Sequence, residues 1–157
     1  MVETYFQAER THGLLFMAVG VVMAGLAVWG WRQAALWRGA AWPLIAIAAI
    51  QLLVGASLWW RSPQDSLHVQ HAVQTDSART AGEEIPRMQA VMQNFRLLRR
   101  VELGLLAVGI VLLLLCARGS AWQGAGLGLV VQVGLVMALD AVAERRGAAY
   151  LAWLQSL

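Results

Sequence analysis

The residues able to do chemistry are few, and the most exposed to physical cost is Asp140. It lies late in the run Ala121–Val142, whose other polar side chains are Gln123 and Gln132. An acid at the centre of a bilayer costs roughly 2.5–3.5 kcal/mol on insertion scales, so an intramembrane carboxylate suggests a proton or cation site. Asp140, however, stands about two helical turns beyond Gln132 and close to Glu144, Arg145 and Arg146. An interfacial acid paired with one of those arginines, or with an arginine of the central segment, is the simpler account. Gln51 holds a similar mid-run position in an earlier apolar stretch. Facing each other, Gln51 and Gln132 would form either a polar constriction or an interhelical hydrogen bond worth roughly 0.6–2 kcal/mol. The packing role is the simpler of the two.

Metal and redox chemistry have thin support. Asp65, His68 and His71 fall three residues apart, which would put them on one helical face. Two turns with no further ligand make a weak metal site, and a solvated polar face explains them as well. Cys116 is the one cysteine and is embedded in an apolar run, so no internal disulfide or thiolate cluster can form. His12 is isolated, and no histidines lie on facing apolar runs to hold a haem. Glu83 and Glu84 sit where a helix start would use them, and neither a G-x-x-x-x-G-K-[ST] nor an H-E-x-x-H pattern occurs. Neither catalysis nor a cofactor is expected.

Two sets of residues could contact lipid or a partner. Arg96, Arg99 and Arg100 cluster just before an apolar run, where they could meet anionic headgroups. Pairing of Arg99 with Glu102, one turn on, is the local alternative. Met88, Met92 and Phe95 form a helical stripe that could dock a partner, although such stripes more often pack internally.

The elements that must position these groups follow from composition. Of 157 residues 59% are hydrophobic and 13% charged, and mean hydropathy is +0.59. A soluble domain would expose much of that surface, which places the chain in a membrane. Spanning a bilayer takes about 20 mostly apolar residues, and residues 13–31, 40–60, 101–117 and 121–142 qualify. The first run is longer than a signal core and lacks a basic lead, so it reads as a retained helix. The expected fold is an all-α integral membrane domain over residues 1–157, with four transmembrane helices as two tandem hairpins.

Gly39-Ala40-Ala41-Trp42 and Gly119-Ser120-Ala121-Trp122, offset by 80 residues, read as the turns of those hairpins. Between the hairpins, residues 61–100 read as a polar helical segment. Helix starts are expected at Ser62-Pro63 and at Glu83-Glu84-Ile85-Pro86, with a break at Ala81-Gly82. The second of these helices should continue unbroken into the third span. Residues 148–157, with Tyr150, Leu151, Trp153 and Leu154, suit an interfacial tail helix.

The 12 basic residues are all arginine. Arg10, Arg61, Arg79, Arg87, Arg96, Arg99, Arg100, Arg145 and Arg146 fall on the side of the termini and central segment, leaving Arg32, Arg38 and Arg118 for the turns. This puts both termini and residues 61–100 in the cytoplasm. It also explains the basic balance better than nucleic acid does. An offset of 89 aligns Phe6 with Phe95, Arg10 with Arg99, and Ala18-Val19-Gly20 with Ala107-Val108-Gly109, which suggests a duplicated unit. The functional expectation is a small bacterial inner-membrane protein that acts by binding, as an accessory, regulatory or immunity-type subunit. Its contacts would be membrane lipid and a protein partner or further copies of itself. The alternative is a homo-oligomeric transporter or ion or proton channel using Asp140, Gln51 and Gln132.

Overall fold

The computed structural model describes residues 2–75 and 77–156, with the backbone alone for 77–81. Four helices make up the described chain: α1 (Val2–Gly30), α2 (Ala35–Thr75), α3 (Ser77–Leu115) and α4 (Ala121–Leu154). Three of them, α1, α2 and α4, are long and apolar enough to cross a membrane. The apolar part of α3 is Val101–Leu115; a membrane-length window ending at Leu115 takes in Arg99, Arg100 and Glu102.

Glycines set the packing. A Cβ on Gly13 would lie 2.7 Å from the Gly55 carbonyl oxygen, one on Gly20 3.2 Å from that of Ala48, and one on Gly30 3.0 Å from that of Trp37. The partners run backward along α2 as α1 runs forward, so these two helices are antiparallel and in backbone contact. The α3–α4 pair repeats the device: a Cβ on Gly126 would lie 2.7 Å from the Gly109 oxygen. In contrast, α2 and α4 run parallel. Gly39 abuts the Ala121 carbonyl, Gly124 abuts the Leu36 carbonyl, and a Cβ on Gly128 would lie 2.7 Å from the Ala40 oxygen. Small residues permit this approach, and dispersion between the backbones holds it.

Several expected boundaries move. Gly39–Trp42 lies inside α2; the turn is Trp31–Ala34. Glycine at 39 serves the crossing with α4, not chain reversal. Gly119-Ser120 does form a turn: Gly119 has φ +77°, and the Ser120 hydroxyl accepts from the Gln123 N–H at 3.2 Å. The Gln123 side-chain oxygen in turn accepts from the Gly119 N–H at 2.8 Å, a variant of the capping box.

Helix starts at Ser62-Pro63 and Pro86 are overturned, because α2 and α3 pass through both prolines. A proline removes one N–H from a helix, and tertiary packing on both sides keeps these helices intact. At Pro63 the Ser62 hydroxyl donates to the Leu58 carbonyl at 2.7 Å. No break occurs at Ala81-Gly82 either, so α3 is the long unbroken rod expected only from Pro86 onward. Residues 148–154 are a continuation of α4, and Tyr150 and Leu154 are buried. A separate interfacial tail helix is thereby ruled out for them.

The ends of all four helices meet in one core of Val2, Phe6, Val69, Met88, Tyr150 and Leu154. Tyr5 stacks on Tyr150 with ring centres 4.2 Å apart and planes 9° apart. Above this knot α1 and α3 diverge. Among the described residues their backbones do not come together, and their side chains meet at Tyr5 and Met88.

Candidate functional site

Divergence of α3 from α1 leaves a cavity of about 370 Å³ in the middle of the bundle, lined by residues of all four helices. Its apolar wall includes Ile50 and Val54 from α2, Leu98 and Leu105 from α3, and Val133 and Val136 from α4. Its polar wall is drawn from all four helices: Glu9 and His12, Arg61, Arg87 and Glu102, then Asp140 and Arg146. The helical period separates these groups. On α4, Val133, Val136, Asp140, Ala143 and Arg146 recur on one face, with the charged residues toward the core end.

The cations of this wall already have partners. Arg61 Nε lies 3.0 Å from Asp65 Oδ2, and Arg87 Nε lies 2.7 Å from Glu84 Oε2. Arg146 Nη1 donates to the Ala8 carbonyl at 3.1 Å. Glu9 Oε2 lies 3.3 Å from the Ser62 hydroxyl, and burial raises the Glu9 carboxyl above the usual carboxylate range even with Arg61 nearby. Glu102, 8% exposed, and Asp140 are close enough across α3 and α4 to influence each other, and both line the cavity. Glu102 Oε1 is buried with no hydrogen-bond donor around it.

Asp140 is therefore set against another acid, not against Arg145 or Arg146. Arg99 lies near both acids, but its guanidinium bonds Glu144, which replaces the expected local pairing with Glu102.

Gln51 and Gln132 do meet. Gln132 Nε2 donates to Gln51 Oε1 at 2.6 Å, with 1% and 0% exposure. Their other polar atoms, Gln51 Nε2 and Gln132 Oε1, have no partner. The pair is sealed in the α2–α4 contact and does not line the cavity, which is the packing arrangement.

The methionine stripe is divided. Met88 is fully buried in the terminal core, so it offers nothing to a partner. The Met92 sulfur covers Gly147, and Phe95 faces the cavity. Arg96 and Arg100 are exposed. Asp65 and His68 join Glu83, Glu84 and Arg87 around a second, smaller hollow of about 270 Å³; His71 does not line it. No group of three or more metal-ligating side chains comes together among the described residues. The Arg79 side chain lies outside those residues.

Sequence reasoning missed Glu9, His12 and Glu102 as one site. Glu102 and Asp140 did carry a signal, since each is an acid at the same end of an apolar run. No family model matches the chain, and no similar protein was found among curated proteins or solved structures.

Proposed function

We propose that this is a bacterial inner-membrane protein with four spans in two tandem hairpins, both termini cytoplasmic, which acts by binding and not by catalysis. The site is the cavity between the hairpins, and its occupant is a small amphiphile. The carrying observation is the division of that cavity into an apolar wall and a charged wall, the charged residues lying toward the terminal core. Such a division suits a molecule whose apolar body lies at membrane depth and whose head lies at the cytoplasmic end. An accessory, regulatory or immunity-type subunit can use such a site to sense or hold a membrane component.

The tryptophans support the depth. Trp29 meets Trp37 and Trp31 meets Trp42 at one end of the bundle, while the Arg10 guanidinium sits 5.1 Å from the centre of the Trp59 ring at the other. Trp42 and Trp59 are 17 residues apart in α2, about 26 Å of helix. This approaches the roughly 30 Å of a bilayer's hydrocarbon core, with aromatic belts on both sides. The arginine count supports the orientation.

Duplication has two supports. Gly20 packs on Ala48 and Gly109 on Leu129, and Ala48 and Leu129 differ by 81, the same offset that separates Gln51 from Gln132.

Gentle extraction followed by native mass spectrometry tests the reading. The expected result is one retained amphiphile per chain, lost in Val136→Trp, which fills the cavity. A chain carrying only a stoichiometric protein partner, equally in wild type and variant, would refute it. The second reading, a small transporter, is favoured by the Glu102–Asp140 pair in the cavity wall; Gln51 and Gln132, being outside that wall, do not carry it. Flux into proteoliposomes that disappears in Asp140→Asn would establish transport in place of simple binding.

A further inference from the structure

We propose that the carboxylate pair Glu102–Asp140 is a recognition site for a protonated amine carried on an apolar body. This rests on the amphiphile-binding reading and assigns the chemistry of the head group.

The charges on the cavity wall lead to this class. Of the arginines on this wall, Arg61 and Arg87 are neutralised by Asp65 and Glu84, while Arg146 donates to the Ala8 carbonyl and keeps its charge on the α1 side. Where α3 meets α4, Glu102, Asp140 and Glu144 gather around the single guanidinium of Arg99, and that guanidinium bonds Glu144. Three acids against one base leave an acidic excess on the Glu102–Asp140 side. An anionic head would add to that excess, whereas a cation offsets it.

Hydrogen bonding narrows the choice further. Glu102 is more than nine-tenths buried and lines the cavity, and its Oε1 lacks a donor. Carboxylate oxygens accept hydrogen bonds, so a guest that donates N–H groups supplies the donor that Glu102 Oε1 lacks and can reach Asp140 beside it. Ammonium does so with three donors, and the charge assistance roughly doubles the strength of each bond. Beside the acids, Leu98, Val101, Leu105 and Val136 offer the apolar surface for the rest of the molecule.

The test uses three probes with one eight-carbon chain and different heads: octylamine, octanol and octanoate. Binding to the full chain in lipid nanodiscs is measured by titration calorimetry at neutral pH and corrected with empty discs. Octylamine should bind about tenfold or more tightly than octanol, and octanoate more weakly than either. Glu102→Gln with Asp140→Asn should remove the octylamine preference, so that octylamine binds no more tightly than octanol. Because these changes remove buried charge without changing shape, the folded state should persist, and circular dichroism and gel filtration check it.

If octanol binds and octylamine binds no more tightly, the amine assignment fails and the amphiphile site stands. A preference for octylamine that survives the double substitution also overturns the assignment. Failure of both octylamine and octanol to bind wild type overturns the assignment and the amphiphile reading together.

Discussion

Helix α2 meets two neighbours along the same stretch in opposite ways. Toward α4 it presents Gly39, Ala40 and Gln51, and the backbones touch. Toward α3 it presents Ile47, Ile50, Val54 and Leu58, and the helices stand apart around a cavity. Both faces are uncharged over this length, so hydrophobicity does not distinguish them. Side-chain size does. In a membrane, lipid competes equally well for aliphatic surface, and close contact is won by small residues that bring backbones together. The bulky face is left for something that can enter between helices.

The largest effect should come from blocking the seam. Gly124→Leu drives a side chain into the Leu36 carbonyl and should cost more than about 3 kcal/mol, read as unfolding in a denaturing-detergent titration. The matching control is Gly134→Ala, where a Cβ meets nothing within 4 Å. This change should stabilise by about 0.5–1 kcal/mol, as alanine does for glycine in a helix. Equal responses at the two positions would dissolve the contrast between seam and open surface.

A smaller effect is expected from the amide pair. Gln132→Leu leaves Gln51 buried without its partner and should cost about 1–2 kcal/mol in the same titration. Adding Gln51→Leu should recover most of that loss. A double variant as unstable as the sum of the singles would mean that the glutamines serve something besides each other.

The smallest concerns the terminal core. The Tyr150 hydroxyl is buried without a hydrogen-bond partner, so Tyr150→Phe should change stability at neutral pH by no more than about 0.5 kcal/mol. Burial pushes the Tyr150 phenol up to about 12 and raises Tyr5 as well. A raised phenol contributes stability that is complete below its unfolded value near 10 and is lost as pH climbs through its folded value. Wild type should therefore weaken between about pH 10 and 12, and Tyr150→Phe should weaken less over that window. An unchanged alkaline slope would show that the phenol is not held away from water.

Much of the arrangement was readable from residue types alone. Long apolar runs announced the helices, and the equivalent positions of Gln51 and Gln132 announced their meeting. What misled was punctuation. Glycine and proline ordinarily end elements, yet Gly39 is there for contact with α4, and Pro63 and Pro86 each cost one helical hydrogen bond within helices that packing sustains. Glu102 was readable as a neighbour of Arg99, but its true companion depends on how α3 and α4 face each other. The cavity was not readable at all. It exists because α3 leans away from α1 above the Met88 knot, and no local pattern encodes a tilt between helices.

The continuity of α3 has a mechanical consequence. From Arg87 to Leu115 the rod contains no proline, and at 1.5 Å per residue it is about 44 Å long. It is anchored to α4 where Gly109 meets Gly126, and at its far end by Met88. Any widening between Leu98 and Val54 that tilts the rod about the glycine contact would shift Met88 and the stacked tyrosines with it, so occupancy of the cavity would be legible as ring movement in the terminal core.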